Sequence, residues 1–128
     1  MIDDKAIRDL LATYALRLDV DDLDACVELF TDDGEFEVYG KTLTRDRIRK
    51  MFMRAPKGMH LTGAALIEVC GDTATARSQV LFVDSSTHQI RPALYDDELV
   101  AAGGQWRFRR RRCRFLTPSG LSDSPQEQ

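Results

Sequence analysis

Four long runs of strand-like alternation fill the second half of the chain, and they constrain its fold more than any other feature. The runs are Met59 to Val69, Thr73 to Val83, Pro92 to Ala101 and Trp106 to Leu116. Gly71-Asp72 joins the first pair and Gly103-Gly104 the second, and both are hairpin signals. Residues 84–91 read as a polar connection between the hairpins. Side chains alternate along a strand, so Ala74, Ala76, Ser78 and Val80 share one face. The pattern predicts an antiparallel meander.

The first half is helical instead. Ile7, Leu10, Leu11, Tyr14, Ala15 and Leu18 recur at helix spacing and predict one apolar stripe over residues 5–19, with Asp3 or Asp4 as cap. Asp19 falls on that same stripe, which aims a carboxylate at the interior. A second helix is expected over residues 21–30, with Leu23, Cys26, Val27 and Phe30 inward and Asp21 or Asp22 as cap. Residues 31–34 read as a turn and residues 35–39 as a short strand. Thr44 is expected to cap a third helix that turns Ile48, Met51 and Phe52 inward. Its solvated side carries Arg45, Arg47, Arg49, Lys50 and Arg54. The order α-α-β-α-β-β-β-β predicts an α+β domain in which helices cover one face of a curled sheet and close a pocket.

Size and composition narrow the function classes. A chain of 128 residues supports one core. Hydrophobic residues at 43% with a net charge of −3 exclude disorder for the bulk. No apolar run is long enough for a membrane helix, and the amphipathic N-terminus does not read as a secretory signal. Cys26, Cys70 and Cys113 show no metal-ligand spacing and predict free thiols in a reducing cytoplasm. His60 and His88 are the only histidines, too few for a His-rich metal site. No phosphate-binding glycine loop or nucleophile elbow is present, so no metal and no cofactor are expected. The run Arg107-Phe-Arg-Arg-Arg-Arg-Cys-Arg suggests a basic stripe, but the acidic total argues against nucleic acid. A salt-bridged sheet face, with partners such as Asp96, Asp97 and Glu98 on the neighbouring strand, or a subunit interface accounts for it better.

Several segments carry a resemblance in the right order. They are Ile7-Arg-Asp-Leu-Leu-Ala-Thr-Tyr-Ala, Leu18-Asp-Val-Asp-Asp-Leu-Asp, Leu29-Phe-Thr-Asp-Asp-Gly and Thr44-Arg-Asp-Arg-Ile. Met59-His-Leu-Thr-Gly, Ile67-Glu-Val-Cys-Gly-Asp-Thr-Ala, Leu94-Tyr-Asp-Asp-Glu-Leu-Val and Gly104-Gln-Trp-Arg-Phe follow. Together they resemble the SnoaL-like branch of the nuclear transport factor 2-like superfamily over about residues 2–116. The resemblance implies a cone-shaped α+β barrel: a strongly bent antiparallel sheet around a deep pocket, closed by the N-terminal helices. Residues 1–116 would form it, and residues 117–128 would be a mobile tail or docking arm. Members include scytalone dehydratase, hexachlorocyclohexane dehydrochlorinase, ketosteroid isomerase and polyketide cyclases, so the fold leaves the reaction open.

The resemblance places an acid–imidazole dyad at Asp19 and His60. A neutral imidazole takes a proton from carbon or water, and a carboxylate on its other nitrogen fixes the tautomer. The residues alone leave another reading, with Asp19 capping the second helix and His60 as a core histidine. Tyr14 stands where the dehydrochlorinase has a catalytic Lys, so a phenol would serve as hydrogen-bond donor there or as a core aromatic. Leu18 and Val83 replace a Tyr and a His of scytalone dehydratase. Tyr95 and Arg111 match pocket-bordering positions, and Phe30 and Phe52, with Leu11, Ala15 and Leu66, are expected to supply apolar walls.

Two functions follow. One is a cofactor-independent dehydratase, isomerase or cyclase that uses Asp19, His60 and Tyr14 on a hydrophobic, cyclic substrate bound by Tyr95, Arg111, Phe30 and Phe52. The other is a non-catalytic ligand-binding or dimerisation module of the same fold. A hydrogen-bonded Asp19–His60 pair facing a ligand-sized cavity favours the first, and a separation beyond hydrogen-bond reach favours the second. A homodimer or homotrimer through the sheet face is expected, with a small hydrophobic molecule as ligand and neither nucleic acid nor membrane as partner.

Overall fold

In the computed structural model, which describes residues 2–125, three helices pack on a mixed sheet. The helices are α1 (Ile2–Asp19), α2 (Leu23–Val27) and α3 (Arg45–Arg54). The strands are β1 (Phe30–Val38), β2 (Lys41–Thr44), β3 (Gly58–Cys70), β4 (Thr73–Asp84), β5 (Ile90–Ala102), β6 (Gln105–Thr117) and β7 (Gly120–Ser122). Their order is β2-β1-β6-β5-β4-β3, with β7 paired to β6. The four long strands form the expected antiparallel meander. The sheet as a whole is mixed, because β1 lies parallel to β6 with Phe36 opposite Arg111.

Several local expectations are corrected. The helix starts at Ile2, so Asp3 and Asp4 lie in its first turn rather than at the cap. Carboxylates there still favour the positive end of the helix dipole. The second helix ends at Val27 because Phe30 turns into the core as the first residue of β1. Residues 31–34 are not a free turn but an irregularity inside β1, which pairs with β6 at Phe30 and resumes at Glu35. Gly34 is needed there, since a Cβ would lie 2.8 Å from the Thr31 carbonyl oxygen. Thr44 stands at the start of α3, but its hydroxyl donates to Asp46 Oδ1 at 2.8 Å and caps no backbone group. Two short strands, β2 and β7, are not visible in the sequence pattern. The latter places Gly120–Ser122, within the segment read as a tail, against β6. Residues 126–128 lie outside the described residues.

The core lies between the helices and the inner sheet face. Ile7, Leu11 and Tyr14 of α1, Ile48 and Phe52 of α3, and Leu99 and Phe108 of the sheet are buried together. Tyr14 is its hub, meeting Phe30, Phe52, Tyr95 and Phe108 edge-on at centroid distances of 5.6–6.3 Å. Such edge contacts suit the ring quadrupoles.

The outer sheet face splits into two zones. One is an ion-pair lattice. Arg77 and Arg114 hold Asp96 at 2.6 and 2.9 Å, and Glu37 bridges Arg110 and Arg112. The arginine run is paired, Arg114 with Asp96 as expected and Arg110 and Arg112 with Glu37 of β1 rather than Glu98, while Arg111 turns inward to Asp97. The other zone is apolar, with Met59, Leu61, Ile90 and Leu116 exposed.

Candidate active site

The end of α1 sets the geometry of the site. Asp22 N–H donates to the Arg17 carbonyl at 2.9 Å and Asp21 N–H to that of Leu18 at 3.1 Å. Asp21 takes a positive φ of 64°, and this bond pattern terminates the helix directly after Asp19. A carboxylate at a helix C-terminus meets the negative end of the dipole and needs donors. His60, near the start of β3, supplies them. Its backbone N–H donates to both Asp19 oxygens at 3.0 Å, and its Nδ1 lies 2.7 Å from Asp19 Oδ1. One residue thus clamps the first helix to the first long strand and orients its own ring.

Gly58, two residues earlier, permits this approach. A Cβ there would meet the Val83 carbonyl oxygen at 2.1 Å and the Phe82 ring at 2.8 Å. The Phe82 ring in turn packs on the imidazole at 4.8 Å between centroids. With Nδ1 engaged by Asp19, Nε2 is the ring nitrogen without a protein partner among the described residues.

His60 lines a small, open-mouthed cavity of about 100 Å³. Its walls come from α1, α3 and five strands, with Phe36, Phe52, Val80, Phe82 and Phe115 among the apolar side chains. Tyr14 and Tyr95 add hydroxyl-bearing rings, and Lys57 and Arg91 add charge. No carboxylate lines the cavity among the described residues; Asp19 sits behind the imidazole.

Burial lowers the His60 pKa below its ordinary value, while the hydrogen bond and charge of Asp19 work the other way. The imidazole is therefore neutral at pH 7. Burial pushes both Tyr14 and Tyr95 well above the usual phenol range, so their hydroxyls stay protonated as donors.

The other expected site residues divide. Tyr14, Tyr95 and Phe52 line the cavity; Phe30 and Arg111 do not. Phe30 is fully buried beneath Tyr14. Leu66 is turned to solvent, because it falls on the outer face of β3, and Leu11 and Ala15 lie in the core away from the cavity. Arg111 follows the alternation of β6 inward and ends behind the wall. Its guanidinium lies 3.5 Å from the Tyr95 ring centroid, 4.2 Å from that of Tyr14 and 4.5 Å from that of Phe108. Its Nε is 3.1 Å from Asp97 Oδ1, and both side chains are sealed from solvent. Burial pushes the Asp97 carboxyl up, with Arg111 pulling it back; burial also works against the Arg111 charge, and the Asp97 carboxylate works for it. Arg111 is thus a buried cation packed against the two tyrosine rings and not part of the cavity lining.

Lys57 and Arg91 are cavity residues that the sequence motifs do not single out. Arg91 falls in the stretch that reads as a connection, yet β5 begins at Ile90. Extending the Tyr95 face back by twos, through Ala93, reaches Arg91 and is the signal that finds it.

No group of three or more His, Cys, Asp or Glu side chains is arranged to hold a metal among the described residues. No helix among them is long and apolar enough to cross a membrane. Cys26, Cys70 and Cys113 are free.

Comparison with known proteins gives the family. A protein of unknown function from Mycobacterium tuberculosis is 32% identical, with 92% of this chain and 75% of that chain covered and a TM-score of 0.84. A presumptive scytalone dehydratase from Novosphingobium aromaticivorans is 25% identical over 98% of this chain and 90% of that one, with a TM-score of 0.81. A type-3 hexachlorocyclohexane dehydrochlorinase from Novosphingobium barchaimii shares the fold at 19% identity, covering 98% and 90% of the two chains, with a TM-score of 0.77. No curated protein matches. The SnoaL-like domain model matches residues 1–112, and the chain belongs to the SnoaL-like domain family.

Proposed function

We propose that the protein is a cofactor-independent enzyme of dehydratase, isomerase or cyclase type, in which His60 abstracts a proton from a hydrophobic, cyclic substrate. The observation that carries this reading is the 2.7 Å contact between His60 Nδ1 and Asp19 Oδ1 on the wall of an apolar cavity. Asp19 accepts the Nδ1 proton and leaves the Nε2 lone pair for a substrate C–H next to a carbonyl or hydroxylated carbon. As the imidazole charges, the same carboxylate stabilises it. Tyr14 and Tyr95 donate hydrogen bonds to the oxygen on which negative charge develops. Elimination of water, isomerisation or ring closure then differ only in where that charge leaves the substrate. The apolar walls supply binding energy and exclude water.

In this reading the sheet curls into a cone around the cavity, consistent with walls drawn from five strands. The apolar zone of the outer face, with Leu61, Ile90 and Leu116 exposed, supports a homodimer or homotrimer. Three free cysteines suit a reducing cytoplasm.

Proton exchange tests the base directly, whatever product the natural substrate gives. A panel of cyclic ketones and hydroxyketones is incubated with the protein in deuterium oxide, and incorporation is followed by mass spectrometry. Wild type is expected to exchange at least one compound beside its carbonyl, and His60→Ala and Asp19→Asn to lose most of that rate. Equal exchange by both variants would defeat the reading.

A further inference from the structure

The charged side chains on the cavity wall, Lys57 and Arg91, are both cationic, and among the described residues one of them is unspent. Lys57 Nζ lies 2.6 Å from Asp21 Oδ1 and 3.4 Å from the Phe52 carbonyl oxygen, so its charge is met by a carboxylate outside the cavity. His60 is engaged with Asp19. The side chain of Arg91, half-buried on β5, has no hydrogen bond and no ion pair among the described residues. The carboxylate that feels its charge is Asp84, which is spent on its own turn, accepting from Ser86 N–H at 2.8 Å and Thr87 N–H at 3.0 Å.

Position makes this guanidinium more than a solvated rim residue. His60 pairs with Phe82 across β3 and β4, and Phe82 pairs with Arg91 across β4 and β5. Directly opposed residues of an antiparallel ladder point to the same face. His60, Phe82 and Arg91 therefore form one row on the cavity wall, with the imidazole at one end and the guanidinium at the other. Adjacent strands are ~4.8 Å apart, so the two ends are separated by about 10 Å at the backbone.

We propose that Arg91 anchors a carboxylate on the substrate, so that the substrate class is an aromatic or alicyclic acid whose ring lies along Phe82 and whose reacting carbon faces His60. This rests on the reading of His60 as the base. Arginine suits the task because its planar fork meets a carboxylate with two parallel hydrogen bonds. With no carboxylate on the wall among the described residues, nothing there repels or pre-empts such an anion. A charged group on the wall also orients the substrate, since the rest of the wall offers mostly undirected apolar contact.

The experiment is calorimetric titration of the full chain with 2-naphthoate and with 2-naphthamide, which share a ring and differ in charge. Wild type is expected to bind the acid about tenfold or more tightly than the amide, as a charge-assisted bidentate contact requires. Arg91→Gln removes that preference while amide affinity stays unchanged, and Lys57→Gln retains it. Circular dichroism confirms that both variants fold. Equal affinity for the two probes in wild type, a preference that survives Arg91→Gln, loss of preference in Lys57→Gln alone, or no binding of either probe at millimolar concentration overturns the proposal. The readout is separable from the function above. A preference lost in Arg91→Gln with deuterium exchange intact in His60→Ala keeps the anion site and removes the general base. The converse pair of results removes the anion site alone.

Discussion

His60 offers two groups to Asp19 at once: its backbone N–H donates to both carboxylate oxygens at 3.0 Å, and its ring nitrogen Nδ1 approaches Oδ1 at 2.7 Å. The backbone contact ties α1 to β3, the ring contact is the one on which the proposed chemistry depends, and the same carboxylate makes both. Both side chains are less than a fifth exposed, so neither contact is dissolved by water. Asp19→Asn is therefore expected to do two kinds of damage. Stability falls by about 1.5–3 kcal/mol, the worth of charged hydrogen bonds. Turnover falls by about 10²–10⁴-fold, because the amide fails to fix the imidazole tautomer. His60→Ala keeps the backbone bond and should separate the two, losing turnover with a smaller change in the urea midpoint.

The pH dependence follows from the lowered His60 pKa. Turnover should rise with pH through an inflection below about 6.5, the unperturbed histidine value, and then level off. Stability carries the same sign. Between the folded-state pKa and that of the unfolded chain, the unfolded state binds more protons, so stability rises with pH there. The contribution is fully present above about pH 6.5 and is lost as pH falls through the folded-state value. Urea midpoints of wild type and His60→Ala between pH 5 and 8 check it; the difference between them should narrow at the acid end.

The tyrosine pair separates packing from chemistry. Tyr14→Phe and Tyr95→Phe keep the rings that meet Phe52, Phe108 and each other. Each is expected to fold normally and to lower turnover by about 10-fold or more through the lost oxyanion donor. Tyr14→Ala opens the hub of the core and should cost about 3–5 kcal/mol. Thermal unfolding beside the exchange assay distinguishes these outcomes.

Arg111 and Asp97 are a sealed ion pair, and they should respond as one. Asp97→Leu alone strands the buried Arg111 charge, and Arg111→Met alone leaves a buried carboxyl without its partner; each is expected to destabilise by about 3–5 kcal/mol. The double variant Arg111→Met with Asp97→Leu should recover most of that loss, as a double-mutant cycle reads directly. Loss of the guanidinium beneath Tyr14 and Tyr95 should also lower turnover in the double variant.

Much of this arrangement is legible in the residues. Period-3.6 spacing puts Asp19 on the buried face of α1, and period-2 alternation gives the four long strands. The inward turn of Arg111 follows from the same alternation as Cys113 and Phe115. What the pattern does not show has local causes. Leu23, Cys26, Val27 and Phe30 fall at helix spacing and suit a longer helix, but Phe30 is fully buried as a strand residue beside Phe108, and the helix stops at Val27. Thr31 to Gly34 has the chemistry of a turn, and the chain uses it as a fold within β1. Polar residues 84–89 mask the true start of β5, so Arg91 reads as connection. Arg111 resembles a pocket residue because its neighbours on the strand line the cavity. Only packing shows that Tyr14 and Tyr95 stand between it and the opening.

The central claim is a neutral His60 with its proton on Nδ1, held by Asp19, and a bare Nε2 facing the cavity. Nitrogen-15 NMR of histidine-labelled protein, with His60 assigned by comparison to His60→Ala, reads this directly. At pH 7 the account predicts a protonated Nδ1 with a shifted, hydrogen-bonded resonance and an unprotonated Nε2, a pattern lost in Asp19→Asn. A proton on Nε2, or a doubly protonated ring at that pH, would contradict it.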